Sequence, residues 1–275
     1  MDPLNSHGPF TSAAHSYDAV FSRLGQTERL RSLVQAAMLR EWSPGDRILD
    51  LGCGTGDDVL FLAQRGFRVT GMDPAFGMLE EARTKLNRAS VPAELLCLGA
   101  GDLGVFPGGS FDGILSNFAA VNTVADFPAM LSHIARILQP GGSAILCLLS
   151  RWCFWETAGF LRRGSPRQAF RRLHRNPVMV RVGDGVVPTY YRSLRTTRRL
   201  AKFWFDVEEA FGLSVLTPPP SWEGFAARHP RLSASLSRLE PAARRLPVAR
   251  AVGDHFVIVL RKKRAREFAP VKRTA

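Results

Sequence analysis

The sequence has 275 residues, 45% of them hydrophobic and 22% charged, which is the composition of a globular protein large enough to bury a full core. No apolar run reaches the roughly 18 residues that cross a bilayer, and neither a signal peptide nor a C-x-x-C pair is recognisable, so we expect a cytoplasmic protein without a disulfide or a metal site. The net charge of +13 comes from the second half, where residues 151–275 carry 26 Lys/Arg against 9 Asp/Glu, and this asymmetry favours either an anionic partner or an Arg-rich surface.

The first half of the chain alternates between short apolar runs and helical patterns. Apolar residues at helical spacing, including Val20, Phe21 and Leu24, predict one or two helices over residues 16–41. Strands are expected at Ile48–Leu51, Arg68–Met72, Leu95–Leu98, Asp112–Ser116 and Ala144–Leu149, and helices at 57–65, 76–87 and 126–138. This alternation predicts βαβ units around a buried parallel sheet.

The pattern changes after residue 150. Helices are expected near 154–174 and 193–204, followed by a strand pair at Phe211–Leu216 and His255–Leu260 that encloses further helix. The predicted divisions are an N-terminal helical cap (1–45), a ligand-binding core (46–150), an Arg- and aromatic-rich cap insertion (151–205), the strand pair with its inserted helix (206–262) and a basic tail (263–275).

Three glycines at alternate positions, Gly52, Gly54 and Gly56, follow the first strand of the core. Such a turn lets the backbone approach a ligand, and the next helix adds unpaired N–H groups, so a nucleotide-type ligand is favoured. The spacing matches neither a Walker loop, which needs a following Lys, nor the G-x-G-x-x-G of dinucleotide folds. Asp57 and Asp58 would repel a pyrophosphate but tolerate a cationic ligand, unless they only stabilise the helix N-terminus.

Asp73 ends the second strand, 21 residues after Gly52. An acid at this position can accept hydrogen bonds from both hydroxyls of a ribose. The ligand is therefore expected to contain a ribose, to lack a diphosphate and to tolerate acids around a cationic end. S-adenosylmethionine meets these three conditions.

Four segments, ILDLGCGTG, VTGMDPAFGMLEEAR, GGSFDGILSNFA and LQPGGSAILCL, occur in the order and spacing of class I S-adenosylmethionine-dependent methyltransferases. The chain resembles their small-molecule branch, which includes quinone-biosynthesis C-methyltransferases, over roughly residues 40–150. The resemblance implies an α/β, Rossmann-like fold: a seven-stranded, mostly parallel sheet with helices on both faces and a helical cap inserted after the fifth strand.

The resemblance also implies how the cofactor S-adenosylmethionine is held. The backbone of Gly52 and Gly54 would hold the methionine moiety with Asp50 nearby, and Asp73 would bind the ribose. Further contacts are expected from Tyr17, Cys53, Gly56, Pro74, Met78, Gly101 and Asn117, with Pro74 and Met78 packing on the ribose and adenine.

The sequence departs from the family where an acid usually binds the adenine amino group. An ungapped alignment places Ala100 at that position and moves the acid to Asp102. Either Asp102 reaches the adenine after a local shift, or backbone N–H groups bind it alone.

Methyl transfer from a sulfonium is an in-line displacement that depends on positioning, and it needs a general base only if the nucleophile must lose a proton. No catalytic motif is therefore obligatory. Electron-rich rings are expected to line an apolar acceptor cavity near the cation, unless they form the core of the appended helices. The acceptor-binding candidates are Phe118, Asn122, Trp152, Trp155, Glu156, Tyr190 and Tyr191. The catalytic candidates are Tyr17, Asn122, Tyr191 and His255.

The segment Phe160–Arg175 combines four apolar residues with six arginines. Three interpretations stay open: a lid with a solvated polar face, a surface that attracts an anionic substrate or acidic lipid headgroups at a membrane, and a nucleic-acid contact. Nucleic-acid methylation is disfavoured, because residues 116–122 lack an Asn/Asp-Pro-Pro-aromatic run and no cysteine follows a proline.

The predicted function is methyl transfer to an O, N or C nucleophile of a small, largely apolar metabolite, such as a lipid, quinone or secondary product. An anionic acceptor is an open alternative. The alternatives are an RNA or protein methyltransferase recruited by the basic half, and a non-catalytic adaptor that binds the cofactor. The sequence predicts no oligomeric state.

Overall fold

The structure is a computed structural model that describes residues 8–19, 25–222 and 224–264. The predicted helical positions Val20, Phe21 and Leu24, and residues 265–275 of the predicted basic tail, lie outside the described residues. The helices are α1 (Pro9–Tyr17), α2 (Gly25–Glu41), α3 (Asp57–Ala63), α4 (Phe76–Ala89), α5 (Phe127–Ile137), α6 (Phe154–Arg162), α7 (Pro166–Ala169), α8 (Leu194–Ala201), α9 (Gly224–Arg228) and α10 (Pro230–Ala243). The strands are β1 (Arg47–Leu51), β2 (Arg68–Met72), β3 (Glu94–Leu96), β4 (Phe111–Ser116), β5 (Leu138–Leu149), β6 (Val178–Val182), β7 (Gly185–Thr189), β8 (Phe205–Leu213) and β9 (His255–Lys262).

Seven strands form one sheet in the order β3-β2-β1-β4-β5-β9-β8. The neighbours from β3 to β5 pair in parallel, and β9 runs antiparallel to both β5 and β8. The prediction of a mostly parallel, seven-stranded α/β fold is therefore confirmed. Because the carboxyl ends of parallel strands meet at one edge, the turns after β1, β2 and β4 lie side by side there.

The sheet is buried on both faces. Consecutive strand residues point to opposite sides, and helices pack on each side. In β1, Leu49 packs in the cluster that contains Phe127 of α5, whereas Ile48 packs in the cluster that contains Val34 and Met38 of α2. Burial on both sides explains why the strands appear in the sequence as continuous apolar runs rather than as alternating ones.

The sequence predicts a helical cap insertion, but the insertion also contains two strands. Strands β6 and β7 form an antiparallel hairpin around Gly183 and Asp184, and this hairpin lies against α1. A Cβ at Gly183 would lie 2.7 Å from Ser12 Oγ and 2.8 Å from Pro9 O, so the close approach requires a glycine. The alternating valines around a Gly-Asp-Gly turn are the hairpin signal that the sequence analysis missed.

The prediction for the first strand of the late pair was shifted along the chain. Strand β8 covers Phe205–Leu213 rather than Phe211–Leu216. Its first half carries Asp206, Glu208 and Glu209, and β8 lies at the edge of the sheet. Charged side chains are common on edge strands, and they hid the start of the strand from an apolar pattern.

Trp42, just beyond α2, fixes this helix against the sheet. Its indole N–H donates a hydrogen bond of 2.9 Å to Ser143 Oγ of β5. The ring covers Gly113 of β4 so closely that a Cβ there would lie 2.4 Å from the indole. Among the described residues, no helix is long and apolar enough to cross a membrane.

We predict that Gly113→Ala lowers the free energy of unfolding by about 1–3 kcal/mol, because the added methyl group overpacks the Trp42 contact. Gly104→Ala is the matched control, since a Cβ at Gly104 meets no atom within 4 Å. Urea denaturation of both variants measures the difference. Equal stability of the two variants would contradict the packing described here.

Candidate functional site

The glycine turn after β1 faces open space at its centre. Gly52, Gly54 and Gly56 all have positive φ, at 77°, 54° and 81°. A Cβ at Gly52 would lie 2.3 Å from Ala120 Cβ, and one at Gly56 would lie 2.7 Å from Ala82 Cβ. A Cβ at Gly54 would meet nothing within 4 Å. The outer glycines are therefore required by packing against the protein, while the middle one leaves backbone that a ligand can approach.

Asp73 links this turn to the end of β2. Its Oδ2 accepts a hydrogen bond of 3.0 Å from the N–H of Gly54, and its Oδ1 accepts one of 2.9 Å from the N–H of Ala75. Burial raises the pKa of Asp73, whereas the two backbone N–H donors lower it. The carboxylate is thus fixed at the carboxyl edge of the sheet, and each oxygen has a second lone pair for a further donor.

The buried carboxylate of Asp58 anchors α2 to the turn. Its Oδ2 accepts hydrogen bonds from Arg31 Nη1 at 2.7 Å and from Asn117 Nδ2 at 2.8 Å, and its Oδ1 accepts one from Gln35 Nε2 at 3.1 Å. Arg31 also lies 3.2 Å from Asp57. Asp58 therefore has a structural role in joining α2, α3 and the loop after β4.

Lys85 of α4 ties the end of α1 to the same turn. Its Nζ lies 2.6 Å from Asp18 and 2.5 Å from Asp57, and it donates to Thr55 Oγ1 at 3.0 Å. Thr55 Oγ1 in turn donates a hydrogen bond of 2.6 Å to Asp18. The N-terminal helices are thus held at the glycine turn by charged groups.

Five acids surround the turn, and among the described residues Arg31 and Lys85 are cations that pair with them. The acids are Asp18, Asp50, Asp57, Asp58 and Asp73. Burial first, and then the negative charges of Asp58 and Asp73, raise the pKa of Asp50 well above its usual range, although Arg31 opposes the shift. In the part of the chain that the structure describes, these acids outnumber the two cations, which favours a ligand with positive charge and disfavours one with phosphates.

Tyr17 lies among these charged groups. Burial raises the pKa of its phenol, Arg31 lowers it, and Asp73 is the next largest influence. The ring packs beside the small cluster of Ala14, Ala75 and Met78. The structure therefore brings together three of the predicted cofactor contacts, namely Tyr17, Asp73 and Met78.

Asp102 folds back towards the end of β2. It lies in a 3₁₀ turn over Ala100–Val105, and its Oδ2 accepts a hydrogen bond of 2.8 Å from the N–H of Gly99. A Cβ at Gly99 would lie 3.7 Å from this oxygen and 3.8 Å from Pro74 Cβ. The acid is therefore near Pro74 despite its shift along the sequence, and Gly101 beside it is exposed.

The loop after β4 has a strained backbone, with positive φ at Phe118 (44°) and Ala119 (68°). Such non-glycine residues cost about 1–2 kcal/mol each and often mark functional sites. The Phe118 ring lies 5.0 Å from the Arg31 guanidinium and 6.1 Å, edge to face, from the ring of His255. This turn thus places an aromatic ring between the glycine turn and the start of β9.

Two of the predicted site residues have side chains that are engaged by the protein itself. Asn122 is fully buried, its Nδ2 donates to Tyr190 O at 2.7 Å, and its Oδ1 accepts from Leu149 N at 2.9 Å. The side chain holds backbone segments together and is not placed to act on an acceptor. Asn117 is also buried, and its side chain donates to Asp58 Oδ2 at 2.8 Å and accepts from Phe118 N at 2.9 Å, so its contact with a cofactor stays a prediction.

Glu156 belongs to a buried ion cluster rather than to an open acceptor cavity. Its oxygens accept from Arg171 Nε at 2.8 Å and from Arg172 Nη2 at 2.5 Å. Arg172 Nη2 also donates to Asp254 Oδ1 at 2.7 Å, and Asp254 Oδ2 lies 3.0 Å from His255 Nδ1. Burial raises the pKa of both carboxyls, but the guanidinium groups outweigh it and hold each pKa below its usual range. The cluster joins the cap insertion to the start of β9.

The remaining predicted rings separate into different environments. The Arg172 guanidinium lies over the Tyr191 ring, with its Cζ 4.8 Å from the ring centroid. The Arg192 guanidinium lies over the Tyr190 ring at 5.5 Å. Trp152 is exposed. Trp155 donates to Leu216 O at 3.0 Å and packs edge to face on the ring of Trp222, so it is part of the core of the appended helices.

Sequence reasoning missed the cations that organise the site. Arg31 and Gln35 stand at i and i+4 on α2, which was the available signal for a polar stripe on a buried helix. Lys85 and Arg172 gave no local signal, because their partners are distant in sequence.

Comparisons with known proteins show what the chain is similar to. Residues 48–142 match the family model described as "Methyltransferase domain". A demethylmenaquinone methyltransferase of Symbiobacterium thermophilum is 41% identical over 149 residues, which are 50% of this chain and 56% of the relative. A malonyl-[acyl-carrier protein] O-methyltransferase of Serratia marcescens is 33% identical over 142 residues, 51% of each chain. The chain spans about half the length of these curated relatives.

A solved structure shares the fold over most of its length. The [4+2]-cyclase SpnF aligns with a TM-score of 0.63 and 16% identity over 93% of this chain and 94% of that chain. A likeness at this level of identity concerns the fold alone.

We predict that the ion cluster makes stability dependent on acidic pH. Because the pKa values of Glu156 and Asp254 are lowered in the folded state, their contribution is fully present above the unfolded value of about 4 and is lost as pH falls below it. The thermal unfolding midpoint should therefore decline between about pH 5 and pH 3.

The double variant Glu156→Gln/Asp254→Asn tests the cause of that decline. It should be less stable at pH 7, since Arg172 keeps no buried carboxylate partner, and its midpoint should change less with pH. An unchanged pH dependence would show that other carboxyls are responsible.

Proposed function

We propose that this chain, whose residues 48–142 form a class I S-adenosylmethionine-dependent methyltransferase domain, transfers the methyl group of S-adenosylmethionine to an O, N or C nucleophile of a small, largely apolar metabolite. The observation that carries the proposal is the open glycine turn, which Asp73 fixes among acids that outnumber the cations of the described residues. S-adenosylmethionine has a ribose, a sulfonium and an ammonium group and no phosphate, so its chemistry matches that environment.

The residues around the turn supply a donor or acceptor for each part of this cofactor. The open backbone at Gly54 would approach the methionine moiety, and Asp50 would bind its ammonium group. Asp73 has lone pairs for both ribose hydroxyls, and Pro74 with Met78 would flank the ribose and adenine. Asp102 Oδ2 and Pro74 Cβ both lie within 4 Å of the point where a Cβ at Gly99 would stand. This position supports the alternative in which Asp102 itself binds the adenine amino group.

Bound S-adenosylmethionine supplies an activated methyl group, and the protein contributes positioning and exclusion of water. The half-buried rings of Tyr17 and Phe118 lie beside Arg31 at the turn, where electron-rich faces also stabilise a sulfonium. Tyr17, Tyr191 and His255 remain the candidates for a general base, which an acceptor hydroxyl or protonated amine would require.

We propose an apolar acceptor such as a lipid, quinone or secondary metabolite, which binds between the loop after β4 and the cap insertion. The Phe118 and His255 rings at that place support it, as does the chemistry named for the two curated relatives. Release of S-adenosylhomocysteine on incubation with quinol, phenol and acyl-thioester acceptors tests methyl transfer. Cofactor binding without turnover on any acceptor would instead indicate a non-methylating role.

We predict micromolar binding of S-adenosylmethionine and S-adenosylhomocysteine, measured by titration calorimetry. Asp73→Ala should weaken it by at least about tenfold, because a hydrogen bond to a charged group contributes about 1.5–3 kcal/mol. Asp46→Ala is the matched control, since Asp46 also accepts a backbone N–H, from Ser43 at 2.8 Å, but lies before β1. Preferential binding of a nicotinamide dinucleotide would refute the assignment.

We predict that S-adenosylmethionine binding releases a proton from Asp50. The raised pKa of its carboxyl in the free protein should fall when an ammonium group binds beside it. Affinity should then rise with pH through the range in which the carboxyl of the free protein titrates, above the ordinary range of an Asp, and the calorimetric enthalpy should depend on the ionisation enthalpy of the buffer. Asp50→Asn should abolish this buffer dependence, and its persistence in the variant would assign the proton to another group.

A further inference from the structure

Helix α6 exposes an apolar stripe to solvent. Phe154, Ala158 and Leu161 follow one another at i, i+4 and i+7 and are all exposed, with Phe154 and Leu161 at 60% and 47%. Gly159 lies on the side of the helix that faces the protein, where a Cβ would lie 2.1 Å from the ring of Trp222. A helix at a protein surface ordinarily shows a polar face to water, so this orientation needs a partner other than water.

The same part of the cap insertion is strongly basic. Residues 157–183 contain seven arginines and neither Asp nor Glu. Within the part of the chain that the structure describes, the ion pairs of this segment involve Arg171 and Arg172, which turn inward to Glu156 and Asp254. Arg162, Arg163 and Arg167 are exposed beside the apolar stripe.

Exposed apolar and cationic side chains thus form one surface over α6 and α7. We call it the cap face and define it as Phe154, Ala158, Leu161, Arg162, Arg163, Arg167 and Phe170, the last being 41% exposed. Helices α6 and α7 are packed against each other, with Thr157 Oγ1 donating to Ala169 O at 3.3 Å, so the surface is built on a fixed scaffold.

We propose that the cap face docks this protein on a bilayer surface that contains anionic lipids. Arginine side chains pair with lipid phosphates, while aromatic and aliphatic side chains insert at the boundary of the acyl chains. A nucleic acid would satisfy the arginines but would leave Ala158 and Leu161 without an apolar partner. The charge and the apolar stripe together therefore favour a membrane.

Membrane docking is a property separate from methyl transfer, and lipid binding can be measured without cofactor or acceptor. The cap face also belongs to the insertion that carries Tyr191 and Glu156. Both residues contact Arg172, which pairs with Asp254 just before β9. Docking through the cap face would therefore hold the proposed acceptor site near a membrane, where an apolar acceptor concentrates.

Sedimentation of the full chain with large unilamellar vesicles tests the proposal. At 0.1 M salt, we expect binding to vesicles of equal parts phosphatidylglycerol and phosphatidylcholine and little binding to phosphatidylcholine alone. Each arginine near the surface changes the affinity by about fivefold. The variant Arg162→Gln/Arg163→Gln should therefore bind about 25-fold more weakly, and Leu161→Glu should bind at least about tenfold more weakly.

Matched variants on α10 control for net charge and for exposed apolar residues. Arg231→Gln/Arg238→Gln and Leu239→Glu alter comparable side chains, Leu239 being 59% exposed, and should leave vesicle binding within about threefold of wild type. Thermal unfolding midpoints verify that every variant is folded.

Three results would overturn the proposal. The first is no binding of the wild type to anionic vesicles, and the second is an equal loss in the α10 variants, which would reduce the effect to net charge. The third is that the protein binds a short RNA and that the cap-face variants lose this binding but still bind vesicles. None of these results bears on the binding of S-adenosylmethionine, so the proposed function stands or falls separately.

Discussion

The carboxylate of Asp73 joins the two turns on which the candidate site depends. It accepts hydrogen bonds from Gly54 in the turn after β1 and from Ala75 at the start of α4. Since parallel strands bring these turns to one edge of the sheet, a single acid can hold both. This interaction keeps the backbone at Gly54 open towards solvent and fixes a negative charge where a ribose would lie.

The N-terminal helices contribute to the site through charge rather than through apolar packing alone. Arg31 and Lys85 neutralise part of an acidic group and thereby draw α2 and the end of α1 over the glycine turn. Among the described residues the acids at the turn outnumber these two cations, and burial together with the charges of Asp58 and Asp73 raises the pKa of Asp50. A cation bound there would counter the burial and the negative charges that raise the pKa of Asp50, so folding and ligand choice are linked by the same charges.

The sequence allowed prediction of the features that depend on local pattern. The sheet strands, the glycine turn and the place of Asp73 follow from apolar periodicity and residue spacing. The roles of Asn122, Glu156 and Trp155 could not be predicted, because each is decided by a partner far along the chain, such as Leu149, Arg172 or Leu216. An aromatic or acidic residue near a site is equally suited to ligand contact and to packing, and only tertiary structure separates the two.

A crystal structure of the protein with S-adenosylhomocysteine tests the central claim most directly. The account predicts that both ribose hydroxyls lie within hydrogen-bonding distance of the Asp73 carboxylate, that the amino-acid end lies over Gly54 towards Asp50, and that the adenine lies between Met78 and residues 99–102. A ligand bound away from the glycine turn, or a ribose that makes no contact with Asp73, would contradict it.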